Sequence, residues 1–209
     1  MKQTTTPLRA LLAIAIALAV PVTATATSSG CGWGIKKHDK LIELDADCDE
    51  AWADLEAQYQ RRADMLPNLV KVAKASAAHE KDTFKEVAKA RASATSMTVD
   101  VHDAESMAKF QQAQGDVTQA LGKLAMISES YPELKASEQF STLMTNIEGT
   151  ENRILVARKK YNKAVTAYNK ELKKFGGKVF DSVTGDTMFE PRVAFKAQAG
   201  ADQAPDLDL

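Results

Sequence analysis

The chain has 209 residues, a formal net charge of −1, 44% hydrophobic residues and 26% charged residues. That length can bury a core in one or two domains, and the balance is too apolar for wholesale disorder. Near-neutral charge leaves no footprint for nucleic acid. Ala, Lys, Glu, Gln and Leu are plentiful in the central region, and Gly and Pro are scarce there. That composition favours helix.

Lys2 and Arg9 precede an apolar run, "ALLAIAIALAVPV" (Ala10 to Val22), followed by the small and polar "TATATSSG" and then Cys31. A basic start, a short apolar core and small residues form an export signal over 1–30. The run is shorter than the roughly 20 residues a spanning helix needs. "SSGC" (Ser28 to Cys31) resembles a bacterial lipobox, which makes Cys31 the lipid-attachment residue. Two other outcomes stay open: cleavage after "ATA" (Ala24 to Ala26), which releases a soluble periplasmic protein, and an uncleaved anchor. Residues 31–39 read as a tether. Trp33 there suits a membrane surface. Cys48 is a lone thiol if Cys31 is acylated, and a Cys31–Cys48 disulfide is permitted otherwise.

From Leu41 onward, apolar positions recur in steps of three and four: Leu44, Cys48, Trp52, Leu55, Tyr59, Ala63, Leu66, Val70, and on through Phe84 and Val87 to Arg91. This is one stripe of a helix. If straight, it extends on the order of 80 Å, so a kink or an overhang is expected. "TSMTVDVHD" (Thr95 to Asp103) interrupts it. A second stripe runs from Met107 to Ile127, and Pro132 suits the first position of a new helix. The third stretch, Phe140 to Phe175, has a near-heptad seam in which "YNKAVTA" is followed at once by "YNKELKK". Such periods favour coiled-coil-like antiparallel packing, and "FGGK" stops the helix.

The expected fold is therefore all-α: an antiparallel up-and-down bundle over 40–176 with three long helices. A fourth appears if Pro67 breaks the first stretch or Gly149 the last. Residues 177–209 read as an irregular to disordered tail. Its apolar part folds back on the bundle or forms a hairpin about Thr184-Gly185-Asp186.

"QRRADMLPNLV" (Gln60 to Val70) concentrates polarity inside this pattern. Pro67 lacks an N–H and marks a kink, freeing the Ala63 carbonyl one turn back. Arg62 adjoins the seam, and Glu151 and Arg158 occupy seam positions on the third stretch. Unpaired buried ions are costly, so a polar layer is expected. In it Arg61 or Arg62 meets Glu151, Asp64 meets Arg153 or Arg158, and Asn68 and Asn152 close the remaining hydrogen bonds. The competing reading leaves the arginines in water.

The same stretch resembles the "QRRxDLIPNLV" pattern of the LemA family. "AWADLEAQY", "AAHEKDTFKEV", "YPELKASEQF" and "GTENRILVARKKYNKAVTAYN" are similar to family blocks in the same order, covering roughly Leu41 to Phe175. The resemblance implies a helical bundle in the bacterial cell envelope, exported behind an N-terminal hydrophobic segment or lipobox. It implies no reaction. Two departures stand out: His38-Asp39 replaces the usual Tyr-Asn, and the C-terminal tail is longer.

Catalytic patterns are missing. His79-Glu80 begins like a zinc motif, but Thr83 ends the match. No phosphate-binding glycine loop and no nucleophile elbow occur. No metal or cofactor is expected. Lys159, Lys160, Lys163, Lys170, Lys173 and Lys174 read as a solvated helix end, with a basic face for anionic lipid or a partner as the alternative. The expected role is a non-enzymatic, membrane-tethered scaffold or protein-interaction bundle facing the periplasm or exterior. The alternatives are a small-ligand binder or enzyme using the Arg/Glu/Asn layer, and a soluble chaperone-like bundle.

Overall fold

The computed structural model describes residues 29–175 and 189–196, without the side chains of 29–35 and 175. Residues 1–28 of the expected export segment, the Cys31 and Trp33 side chains and the expected hairpin about Thr184-Gly185-Asp186 lie outside the described residues. Five helices follow one another: α1 (Ser29–Ser76), α2 (Lys81–Thr95), α3 (Ala104–Ser130), the one-turn α4 (Pro132–Lys135) and α5 (Glu138–Phe175). Among the described residues there is no strand, and the protein is an all-α bundle. Residues 31–39 belong to α1.

The first stretch is not one rod. It stops after Ser76 and reverses at 77–80, and α1 continues without a break past Pro67. α5 likewise continues through Gly149. The reversal has a packing cause. On a continued rod Phe84, Val87 and Ala94 would lie beyond any partner. Folded back, they are buried in one cluster with Leu69, Ala73 and Ala77. The Lys74 ammonium sits 5.6 Å from the centre of the Phe84 ring across the hairpin. Covering such a face stabilises by roughly 25 cal/mol per Å² of apolar surface, more than the few broken helical hydrogen bonds cost net.

The order is up-down-up-down. α1 and α5 are antiparallel, since Lys37 pairs with Glu171 at one end and Arg62 with Glu151 further along. α2 and α3 are antiparallel, with Lys123 Nζ 2.6 Å from Glu86 Oε2. Asp103 opens α3 by accepting from the backbone N–H groups of Glu105 and Ser106. α1 spans 48 residues and α2 only 15. At 1.5 Å per residue these are about 72 Å and 22 Å. The first half of α1 therefore has α5 beside it but no α2 across from it. Residues 96–103 and the extended segment 189–196 close that side: Met97, Val99, Val101, Val193 and Phe195 all pack into the cluster formed by α1 and α5 there.

Candidate functional site

Two apolar clusters fill the bundle. One holds Leu41 to Tyr59 of α1, Met107 and Phe110 of α3, and Ile154 to Leu172 of α5. The other holds Leu66 to Ala77, Phe84 to Ala94, Ala113 to Leu124, and Phe140 with Ile147. Arg62 lies between them and is 2% exposed. Its Nη1 donates to Glu151 Oε1 at 2.5 Å and to Thr118 Oγ1 at 3.0 Å. Its Nη2 donates to Gln114 Oε1 at 2.6 Å and to the Gln114 carbonyl at 3.1 Å. All four terminal N–H groups of the guanidinium are thus committed within the chain. The guanidinium carbon also stands 5.4 Å from the Tyr59 ring centre.

Arg62 and Glu151 meet, but the rest of the expected layer differs. Arg61, Asp64, Asn68, Asn152 and Arg153 are exposed. Asp64 accepts from Gln60 one turn back and meets neither Arg153 nor Arg158. The cause is the helical turn of about 100° per residue. With Arg62, Leu66 and Leu69 turned inward, positions 61, 64 and 68 face water. Arg158 is half-buried, and its guanidinium carbon lies 4.8 Å from the centre of the Phe195 ring. Gln114 and Thr118 take the places assigned to the asparagines. Their only sequence signal was an amide and a hydroxyl one turn apart beside the α3 stripe.

Pro67 itself is exposed. The Ala63 carbonyl it frees accepts from Arg91 Nε of α2 at 2.8 Å. Nothing in the sequence pointed to Arg91. If this bond exists only because position 67 lacks an N–H, the two sites are coupled. Arg91→Met should cost about 1.5 kcal/mol in the native chain, the usual scale for a hydrogen bond from a charged donor. In a Pro67→Ala background, where the helix can satisfy Ala63 itself, the same change should cost close to nothing. Urea midpoints of the four chains measure this cycle.

A cavity of about 160 Å³ beside the layer is lined by Arg62, Gln114, Thr118, Glu151 and Arg158. It is smaller than the roughly 300 Å³ of ordinary small-molecule sites. A second, of about 330 Å³, is lined by Glu56, Tyr59, Gln60, Arg62, Met97, Val99 and Phe110.

The second construction is the segment 189–196, which lies antiparallel to α5. Asn162 brackets Phe195: Oδ1 accepts from its N–H at 2.9 Å, and Nδ2 donates to its carbonyl at 3.0 Å. Asn169 brackets Arg192 in the same way, at 3.0 and 2.7 Å. Tyr161 and Tyr168 donate their hydroxyls to the Val193 and Glu190 carbonyls, at 3.1 and 3.0 Å. The repeated Tyr-Asn pairs stand seven residues apart on the helix and serve positions three residues apart on the extended segment. Seven helical residues rise about 10.5 Å and three extended ones about 10 Å, so the two spacings agree. Burial pushes both phenols up to about 12, so they stay protonated and able to donate.

Two side chains anchor the strap. The guanidinium of Arg192, which is 7% exposed, puts Nε 2.8 Å from Asp45 Oδ1 and Nη1 2.7 Å from Asp49 Oδ1, both on α1. Phe195, 5% exposed, packs against Trp52, Phe110 and Tyr161. Val193 N–H donates to the Val101 carbonyl at 2.8 Å, and Gln111 Nε2 to the Lys196 carbonyl at 2.6 Å. Sequence reasoning took the Tyr-Asn echo for helix packing alone and missed its pairing with "PRVAF".

Cys48 is a free thiol, fully buried, and burial pushes it up to about 11. A Cys31–Cys48 disulfide does not fit one continuous helix: 17 residues rise about 25 Å, against the 7 Å limit between bridged Cα atoms. Near the start of α1, Glu171 is held down at about 2, first by Lys37 and then by Lys174. A folded value below the ordinary 4.5 stabilises the protein above that pH, and the contribution is lost as pH falls towards 2. Native and Glu171→Gln chains should therefore differ in urea midpoint at pH 7 and converge as pH drops from 4.5 to 2.

The sequence model of the LemA family matches residues 51–209. The chain belongs to the LemA family. Within that match lie Arg62, Glu151, the Tyr-Asn pairs and the strap. Magnetosome proteins MamQ 1 and MamQ 2 of Paramagnetospirillum magneticum (strain ATCC 700264 / AMB-1) are each 23% identical over 170 residues. Those alignments cover 72% of this LemA-family chain and 62% of each relative. The magnetosome protein MamQ of Magnetospirillum gryphiswaldense (strain DSM 6361 / JCM 21280 / NBRC 15271 / MSR-1) is 30% identical over 73 residues, 35% of the chain and 27% of the relative. The chain thus spans less than two thirds of the relatives' length. Among the described residues no helix is long and apolar enough to cross a membrane, and no cluster of three or more His, Cys, Asp or Glu side chains fits a metal ion.

Proposed function

We propose that this LemA-family chain is a non-enzymatic bundle of the bacterial cell envelope, exported, held at a membrane through its N-terminus and used to bind protein. The observation that carries the reading is the state of Arg62. The buried cation at the centre of the bundle has no terminal N–H left for a substrate, because Glu151, Thr118 and Gln114 use all four. Charge that is already neutralised and hydrogen-bonded in the resting fold locks helices together and has no capacity left for chemistry. The tethering half of the proposal is supported by the basic and apolar start of the chain and by the lipobox-like "SSGC" that ends in Cys31.

Lipid on Cys31 is the tether we favour. Membrane fractions of cells producing the native chain or Cys31→Ala test it. The native protein should sediment with membranes and carry acyl mass on Cys31, and the variant should move to the soluble fraction. Equal sedimentation of both, with no acyl mass on Cys31, would remove the lipid tether and leave the uncleaved anchor.

A further inference from the structure

Where α2 stops at Thr95 and the cover of α1 passes to the segment 96–103, a cavity of about 330 Å³ remains. It reaches the roughly 300 Å³ at which small-molecule sites begin. Phe110, Met97, Val99 and Val117 line it with apolar surface, and Tyr59 and Gln114 bring polar atoms. Tyr59 is 7% exposed and Gln114 is 8% exposed. Each keeps a hydrogen-bonding atom that nothing uses. Among the described residues the Tyr59 hydroxyl has no partner, and neither does Gln114 Nε2. Neither atom is among the side-chain atoms sealed from solvent without a partner. Both are therefore reached through the cavities that these two residues line.

The polarity of both groups is fixed. Gln114 Oε1 accepts from Arg62 Nη2 at 2.6 Å, and a guanidinium can only donate. The amide cannot flip, so Nε2 is the free end and it donates. Burial raises the Tyr59 phenol above its ordinary 10.0, so the hydroxyl keeps its proton at neutral pH and donates as well. Two donors thus face the cavity. The charge beside them is already balanced, since Arg62 is paired with Glu151. Glu56, exposed on the cavity wall, has no ion-pair partner among the described residues. A carboxylate ligand would be repelled by Glu56, and an amine would bring donors to donors beside a cation. A neutral carbonyl meets neither obstacle. We propose that this cavity binds a small uncharged molecule with a carbonyl oxygen on an apolar body, of the aromatic-amide kind. The oxygen accepts from Tyr59 and Gln114, and the body lies against Phe110, Met97 and Val99. The oxygen reproduces the hydrogen bonds that water makes to such donors, and burial of the apolar body supplies the affinity. The binding is non-covalent and independent of the tether.

Benzamide, benzoate and benzylamine share a ring and differ in the group the cavity must accept, which makes them the probes. Methyl NMR of the full chain with isotope-labelled methionine reports binding, the Met97 signal being identified through Met97→Leu. Benzamide should shift the Met97 methyl saturably at millimolar concentration, the range open to so small a molecule. Benzoate and benzylamine should bind roughly tenfold more weakly or worse. Tyr59→Phe should weaken benzamide by roughly 3–10-fold, the loss of one hydrogen bond. Its urea midpoint should stay where it is, because no bond within the described residues is lost. Ala57 is exposed on the cavity wall, so Ala57→Trp should fill the space from the rim and remove the shift. A Met97 methyl that benzamide does not saturate would overturn the proposal. Equal binding of the three probes would do so too, since that is an apolar cleft without recognition. The same holds for a Tyr59→Phe chain that binds benzamide as the native chain does, or that loses stability, and for binding that survives Ala57→Trp.

Discussion

Glu151→Leu should destabilise the protein by about 3 kcal/mol, the lower end of the range for removing one partner of a buried ion pair. The lower end is apt because Glu151 is 33% exposed on its side chain, whereas Arg62 is 2% exposed. That asymmetry sets the order of the variants. Without Glu151, a cation sealed between two apolar clusters keeps only neutral partners, Gln114 and Thr118. Without Arg62, the carboxylate can turn to water, and the remaining loss is the partner of the Gln114 amide. Arg62→Met should therefore cost less, about 1–2 kcal/mol. The double variant Arg62→Met/Glu151→Leu should recover to within about 1 kcal/mol of the native chain, because apolar replacement of a whole buried pair is often neutral. Urea midpoints at unchanged slope measure all three. If Glu151→Leu costs no more than Arg62→Met, the pair is not what holds the layer.

Phe195→Ala should have the largest local effect. Removing a buried phenylalanine costs about 3–5 kcal/mol where the surroundings cannot collapse. Here the penalty falls on a segment that can leave on its own, so the expected result is strap release ahead of global unfolding. Cys48 reports it. The thiol is fully buried, lies within the electrostatic reach of Arg192, Tyr161 and Tyr168, and is held up at about 11. Alkylation of Cys48 in a Cys31→Ser chain should accelerate by roughly 10²–10⁴ on Phe195→Ala, taking tenfold per 1.36 kcal/mol. The far-ultraviolet helix signal should change little. Asn162→Ala with Asn169→Ala should give a smaller acceleration, since the lost bonds are replaced by water. Alkylation within threefold of the native rate in Phe195→Ala would mean that the strap is not what covers this end of the core.

One pair of the layer was legible from residue type and period alone. Arg62 and Glu151 sit on or beside apolar stripes, and an ion in that position has to find its opposite. The same arithmetic misassigned the neighbours, because adjacent charged residues on a helix point about 100° apart and only one of several can turn inward. Arg91 was invisible for a different reason. It lies 28 positions from the carbonyl it serves, and that distance is bridged only once α2 has folded back. The Tyr-Asn echo was visible as a repeat, but a seven-residue spacing fits a helical seam as well as a ladder for an extended segment. Only the presence of Arg192 and Phe195 beside it distinguishes the two.

Period, composition and the polar interruptions by themselves determined that this chain makes long amphipathic helices, which apolar stripes face inward, and that an ion turned into a seam must find its opposite. These are local properties, set by a turn of 3.6 residues and by the cost of burying charge. The tertiary structure decided where the first stretch reverses, which helix satisfies Ala63, and what covers the half of α1 that α2 does not reach. Those outcomes depend on which apolar surface is left without a partner after the helices have paired, a comparison among distant segments that no window along the chain contains.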